Sequence, residues 1–186
     1  MAQLDGKRIA IVTSNSGVEE AELASPRQAV IDAGGEAVLL APEQGEVRTL
    51  VHDEDPGEVF TADRTIAGAD PAEFDGLIVP GGTLNADKLR LDEDAVAFVD
   101  AFIAAGKPVA AICHGPWALI ESGRIEGKTL TSFPSLQTDV ENAGAQWVDE
   151  EVHVDSTGGW TLVTSRRPGD LDAFDRELVA AFGRAA

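Results

Sequence analysis

One cysteine, the histidine beside it and the glycine that follows form the most reactive grouping in the chain: Pro108-Val109-Ala110-Ala111-Ile112-Cys113-His114-Gly115-Pro116-Trp117. A run of strand type, Val109 to Ile112, stops at Cys113, and helical spacing resumes through Trp117, Ile120 and Glu121. A buried strand that enters a helix through one reactive residue is a nucleophile elbow. The sharp turn lifts the side chain out of the sheet, and the free N–H groups and dipole of the next helix favour a thiolate over a thiol. A lone cysteine is commonly an inert, buried, apolar residue. This one is the only Cys of the chain, sits at a strand-to-helix junction and has an imidazole for a neighbour, which favours a nucleophile.

Two further stretches could serve such a nucleophile. Val18-Glu19-Glu20-Ala21-Glu22-Leu23 follows the first apolar strand. It reads as a solvated charge run or as a site at the carboxyl edge of a parallel sheet, where ligands collect. Glu19 and Glu22 share a helical face, while Glu20 points elsewhere. Val79-Pro80-Gly81-Gly82 ends another strand; paired glycines are turn chemistry, or they let backbone N–H groups approach a reacting carbonyl as an oxyanion hole. His153-Val154-Asp155 has the spacing of a glutamine amidotransferase dyad, but His153 alternates with Val152 and Val154 as a strand residue does. His52 sits among acids at a loop tip and reads as solvated. Three scattered His and one Cys offer no metal-ligand spacing, and no cofactor is expected.

The elements that must position these groups alternate. Arg8–Thr13 and Ala37–Ala41 read as buried strands, with a helix between them capped by Ser25, opened by Pro26 and stopped at Gly34-Gly35. This βαβ start predicts a parallel sheet with helices on both faces. Val47–Val51 and Val59–Thr65 read as short strands around Asp53–Gly57, a hairpin excursion off the main sheet. Phe74–Val79 is a buried strand, and a helix from Asp92 carries Val96, Val99, Phe102 and Ile103 to Gly106. After the elbow come a strand at 128–131, a helix from Pro134 to Asn142, strands at 147–148, 152–154 and 160–165, and a last helix over 170–182. The expected architecture is a single domain, residues 1–186, an α/β three-layer sandwich around a mostly parallel central sheet.

Of 186 residues, 33 are acidic and 14 basic, a formal charge of −19, with 44% apolar. No acidic run is long enough to be a tail, so the charge covers a folded surface. Such a surface repels nucleic acid and anionic membranes, and it suits a protein kept hydrated in concentrated salt, where self-repulsion is screened; a halophilic host is expected, with an ordinary acidic cytosolic protein as the alternative. One Cys permits no internal disulfide, which fits a reducing cytoplasm. No apolar leader or membrane span is read in the chain.

The elbow from Ala111 to Trp117 resembles that of the PfpI intracellular protease family in the DJ-one superfamily, whose fold is flavodoxin-like and akin to class I glutamine amidotransferases. Val18–Leu23, Val79–Gly82, Lys128–Ser132, Asp139–Gly144 and Leu162–Arg166 resemble further stretches of that family in register. The resemblance implies Cys113 as nucleophile, His114 as its imidazole, Glu22 as the acid bonded to the sulfur and Glu19 as a second acid. It implies an oxyanion and substrate-binding turn at Gly81, Gly82, His114 and Gly115, with the N–H groups of Gly82 and His114 as donors. A homo-oligomer, dimer or hexamer, is implied, in which Asp87, shortened from Glu, orients His114 of a neighbouring subunit. Phe133 stands where many members carry Tyr, and the chain has no Tyr. With Glu22 protonated and donating to the sulfur, Cys113 is expected to titrate below an ordinary thiol. The implied activity is covalent chemistry on a small carbonyl compound or a peptide: glyoxalase, deglycase or cysteine peptidase. A holdase chaperone or redox sensor is the alternative, and an amidotransferase a more distant one.

Overall fold

The computed structural model describes residues 2–184. In chain order the elements are β1 (Arg8–Val12), β2 (Ser16–Glu19), α1 (Glu20–Asp32), β3 (Glu36–Ala41), β4 (Glu46–Val51), β5 (Asp55–Thr61), β6 (Arg64–Thr65), β7 (Gly76–Val79), α2 (Thr83–Leu89), α3 (Glu93–Ala104) and β8 (Val109–Ile112). Then follow α4 (Pro116–Glu121), β9 (Thr129–Leu130), α5 (Gln137–Asn142), β10 (Gln146–Trp147), β11 (Val152–Asp155), β12 (Leu162–Ser165) and α6 (Leu171–Arg184).

Seven strands form the main sheet in the order β11-β12-β8-β7-β1-β3-β6. Every pairing is parallel except β11 with β12. Strands β7 and β8 read as unbroken apolar runs because both their faces are covered. Alternate residues serve different cores. Ala10, Val12, Leu77, Val79, Val109 and Ala111 pack with Phe98, Phe102 and Leu119. Ile9, Ile11, Ile78, Ala110 and Ile112 pack on the other side with Leu23, Val30, Phe174 and Phe182. The expected flavodoxin-like sandwich is what forms. Among the described residues no helix is long and apolar enough to cross a membrane.

Three local expectations need correction, and two of them concern the site. Helix α1 starts at Glu20, not at Ser25; Pro26 lies inside it and is buried. The missing Pro26 N–H takes away one intrahelical bond, and the Ser25 hydroxyl donates to Asp175 Oδ2 on α6 at 2.5 Å instead of capping. The excursion is a three-stranded sheet, β2-β4-β5. Its third strand, β2, comes from Ser16–Glu19, where the sequence predicts no strand, because its partner β4 is remote in sequence and leaves no local signal. Between the strand that ends at Val79 and the helix expected from Asp92, residues 83–89 add a helix, α2, capped by no side chain of its own.

Candidate active site

Cys113 directly follows β8 at φ +61°, in the left-handed region that a non-glycine residue rarely occupies. The elbow is held on both sides: the Cys113 N–H donates to the Ser165 carbonyl at 3.0 Å, and the Cys113 carbonyl accepts from Phe133 N–H at 2.9 Å. The side chain therefore stands at the carboxyl end of a central strand, with 5% of its surface exposed. His114 Nδ1 lies 3.1 Å from the sulfur, and Ser135 Oγ lies 3.4 Å from Nε2. Phe133 stacks on the imidazole with ring centres 4.7 Å apart, and Trp117 tilts against it at 5.3 Å.

The first turn of α1 brings Glu22 to the same point. Fully buried, it accepts the Gly81 N–H on Oε2 at 3.0 Å and pairs with Cys113. Its Oε1 has no oxygen or nitrogen partner. Burial first, and the Glu19 charge second, push the Glu22 carboxyl up to about 8, so it carries a proton at neutral pH. Glu19 is buried as well; its carboxylate accepts the N–H groups of His52 at 3.1 Å and Asp53 at 3.0 Å. Glu20 turns away and accepts from the Glu58 N–H and the Thr49 hydroxyl.

The thiol itself departs from the expectation. Burial pushes Cys113 up, a Glu22 carboxylate would push it further, and the N–H groups of Gly82 and His114 pull only partly against them. Desolvation outweighs the short α4 helix behind the elbow, so the resting group is a thiol rather than a preformed thiolate. Protonation of Glu22 removes the second of the upward causes. His114 is pushed down by burial, with Asp53 opposing; a neutral imidazole 3.1 Å from Sγ can accept the thiol proton at the moment of attack.

The glycines divide by what their N–H groups do. Gly82, at φ +89°, and His114 direct theirs at Cys113. Gly81 spends its N–H on Glu22 and Gly115 on the Ile112 carbonyl. Neither is a free oxyanion donor, a part the resemblance gives only to the N–H groups of Gly82 and His114. What Gly81 contributes is room, because a side chain there would run into Glu22 and Cys113. Asp87 lies on the outer face of α2, exposed, with no hydrogen bond or ion pair among the described residues, and it does not touch His114 within the chain. His153 pairs with Glu150 and Asp155 with Lys128, so the amidotransferase dyad does not assemble.

Sequence reasoning missed two members of this neighbourhood. Asn85, fully buried on α2, accepts the Ser14 N–H at 2.7 Å and donates to the Pro80 and Gly81 carbonyls at 3.1 and 3.0 Å, tying the end of β1 to the glycine turn. An Asn three residues past a glycine pair was the available signal. The hairpin tip is docked against Glu19 through the backbone N–H groups of His52 and Asp53, while the His52 side chain is exposed, as expected. No group of metal-ligating side chains is found among the described residues.

A left-handed cysteine at the carboxyl end of a parallel strand, an acid from the first βα unit and a glycine turn define a cysteine-elbow protein of flavodoxin-like fold. The chain belongs to the DJ-1/PfpI family, whose model it matches over residues 7–181. It is 41% identical over 175 residues to general stress protein 18 of Bacillus subtilis, covering 94% of this chain and 97% of that one. It is 41% identical over 177 residues to protein/nucleic acid deglycase 2 of Escherichia coli, covering 95% and 98%. A solved two-domain protein of Anabaena variabilis, with DJ-1/ThiJ/PfpI-like and ferritin-like domains, superposes with a TM-score of 0.85 at 35% identity; the match covers 97% of this chain and 49% of that one, so this chain spans about half its length.

Proposed function

We propose that the chain, working as one DJ-1/PfpI domain, is a cysteine-dependent enzyme that consumes α-oxoaldehydes or their adducts on proteins, a deglycase or glyoxalase. The observation that carries this reading is the strained, enclosed Cys113 with a proton-bearing Glu22 on one side and a neutral imidazole on the other. As Sγ attacks the aldehyde carbon of methylglyoxal, its proton passes to His114, and the new oxyanion takes the N–H groups of Gly82 and His114. The hemithioacetal isomerises to the thioester of a hydroxy acid, and water releases the acid and restores the thiol. The sum is methylglyoxal plus water to lactic acid. With an adduct on an amine, the same attack expels the amine first. Relatives at about this identity carry the name deglycase, and a site roofed by Phe133 and Trp117 suits a small carbonyl compound better than a folded protein chain.

Asp87 reaches His114 only if a second copy brings it there, so a dimer or hexamer belongs to this proposal, and sizing in high salt tests it. A cytoplasmic, salt-adapted setting fits the −19 charge and the lone thiol. The test of function is incubation of wild type and Cys113→Ser with methylglyoxal, with a glycated peptide and with unmodified fluorogenic peptides. Expected is Cys113-dependent loss of the carbonyl substrates, lowered roughly 1,000-fold or more in the variant. Cys113-dependent cleavage of plain peptides alone makes the protein a peptidase. Protection of client proteins retained in Cys113→Ser, with no turnover, makes it a holdase.

A further inference from the structure

Helix α2 begins directly after the oxyanion donor, and this creates a conflict. The position before the helix should be a Ser, Thr, Asp or Asn whose side chain caps it. It is Gly82, because the backbone of Gly17, Val18 and Glu19 crowds the place a Cβ would occupy and φ is +89°. The cap comes from elsewhere. Asp53, at the tip of the β4–β5 hairpin, accepts the Thr83 N–H on Oδ1 at 2.8 Å and the Thr83 hydroxyl on Oδ2 at 2.9 Å.

The tip is itself an unusual piece of backbone. His52 and Asp53 are consecutive non-glycine residues at φ +56° and +60°, a conformation that persists only where the surroundings impose it. Here they are imposed by Glu19, whose carboxylate holds both N–H groups. One two-residue tip thus grips the acidic motif with its backbone and the glycine turn with its side chain. Those are the two segments that must stay in register around Cys113. The charged and titratable groups facing Asp53 are Glu19, Glu22 and His114, the last two feeling its charge.

We infer that Asp53 is a positioning residue for the oxyanion turn: it caps α2 from the hairpin tip and so holds the Gly82 N–H on the reacting centre. The catalytic part of this inference rests on the covalent reading of the site proposed above. The positioning part does not, because the Gly82 N–H also bears on the resting sulfur and is read by alkylation without any substrate.

The experiment compares wild type, Asp53→Asn, Asp53→Ala and Thr83→Ala, with Cys113→Ser as reference. It reads kcat and KM for methylglyoxal, the iodoacetamide alkylation rate of Cys113 at about pH 6, where Glu22 keeps its proton in every form, and the urea midpoint. Asparagine keeps an acceptor and tolerates the left-handed backbone, so it should hold kcat and alkylation within about 3-fold of wild type. Asp53→Ala should lower kcat roughly 10- to 100-fold with KM little changed, the cost of about an ångström of misplacement, and should slow alkylation. Thr83→Ala, which removes only the hydroxyl half of the grip, should move both in the same direction by less. In Asp53→Asn the alkaline limb of the kcat/KM profile should move to lower pH, because one charge holding the Glu22 proton is gone. Unchanged alkylation in Asp53→Ala overturns the inference whether or not the wild type turns over methylglyoxal. If Asp53→Ala does not fold, equal alkylation in Thr83→Ala and wild type overturns it. Equal losses in the Asn and Ala variants overturn it as well, because charge rather than the hydrogen-bonded cap is then what matters.

Discussion

Two buried polar clusters lie at opposite ends of the main sheet, and they are built on opposite terms. At the amino end of β12, Lys128 is 2% exposed and donates to the carbonyls of Thr157, Trp160 and Asp155 at 2.5, 2.8 and 3.4 Å. Its ammonium lies 3.6 Å from Asp155 Oδ1 and over the Trp160 ring at 4.1 Å. Asp155 in turn accepts from Thr129 N–H and from the N–H and hydroxyl of Thr157. Burial alone would raise that carboxyl, yet these donors and Lys128 hold it down at about 2. At the carboxyl end, Glu22 has one N–H donor, no cation and a second acid nearby, and it rises to about 8. One buried carboxylate is fully satisfied and serves stability. The other is left short of partners and keeps a proton that chemistry can use.

The sharpest way to break this contrast is to unbalance the satisfied end. Lys128→Met leaves Asp155 charged and buried without its cation, and should cost about 3–5 kcal/mol by urea unfolding, with the activity per folded molecule unchanged. An altered rate in the folded fraction would mean that the two ends are coupled. At the other end, Glu22→Gln keeps an acceptor for the Gly81 N–H but removes the mobile proton. Turnover of methylglyoxal should fall about 100-fold, and the alkaline limb near pH 8 should vanish from the kcat/KM profile.

The two carboxyls also predict opposite pH slopes. Glu22 binds its proton more tightly folded than unfolded. The stability it contributes is full below about 4.5 and is lost as pH rises through about 8. Asp155 is the reverse: its contribution is present above about 3.8 and is lost as pH falls through about 2. Urea midpoints measured across pH should therefore decline on the alkaline side in wild type and flatten there in Glu22→Gln, while Asp155→Asn should flatten only the acid side. The smallest effect expected is from Phe133→Tyr, which places a hydroxyl near His114 without disturbing the ring stack. A change in kcat beyond about 3-fold would show that this site needs the proton-transfer group it lacks.

Much of this was legible along the chain. The buried strands, their parallel order and the elbow at Cys113 follow from apolar runs, glycine stops and the lone thiol beside an imidazole, all of them local signals. The acidic motif could be named for the same reason, since Glu19 and Glu22 are three residues apart. What stayed hidden depended on residues far apart in sequence. Strand β2 exists because β4, some thirty residues on, pairs with it. Asn85 reads as one polar residue in a stretch with no assigned element until Ser14 and Gly81 are seen to meet on it. Asp53 reads only as the start of a connection between two strands until its carboxylate is found on Thr83.

The thiol shows the division most plainly. Residue types and spacing determined that a cysteine would stand at the carboxyl end of a central strand with an imidazole, an acid and a glycine turn to serve it. They did not determine its protonation, because a helix dipole can be read from a pattern and desolvation cannot. Burial, the distance to Glu22 and the few N–H groups that reach the sulfur decide whether the proton stays. Each of those is set by packing between segments that only the folded chain brings together.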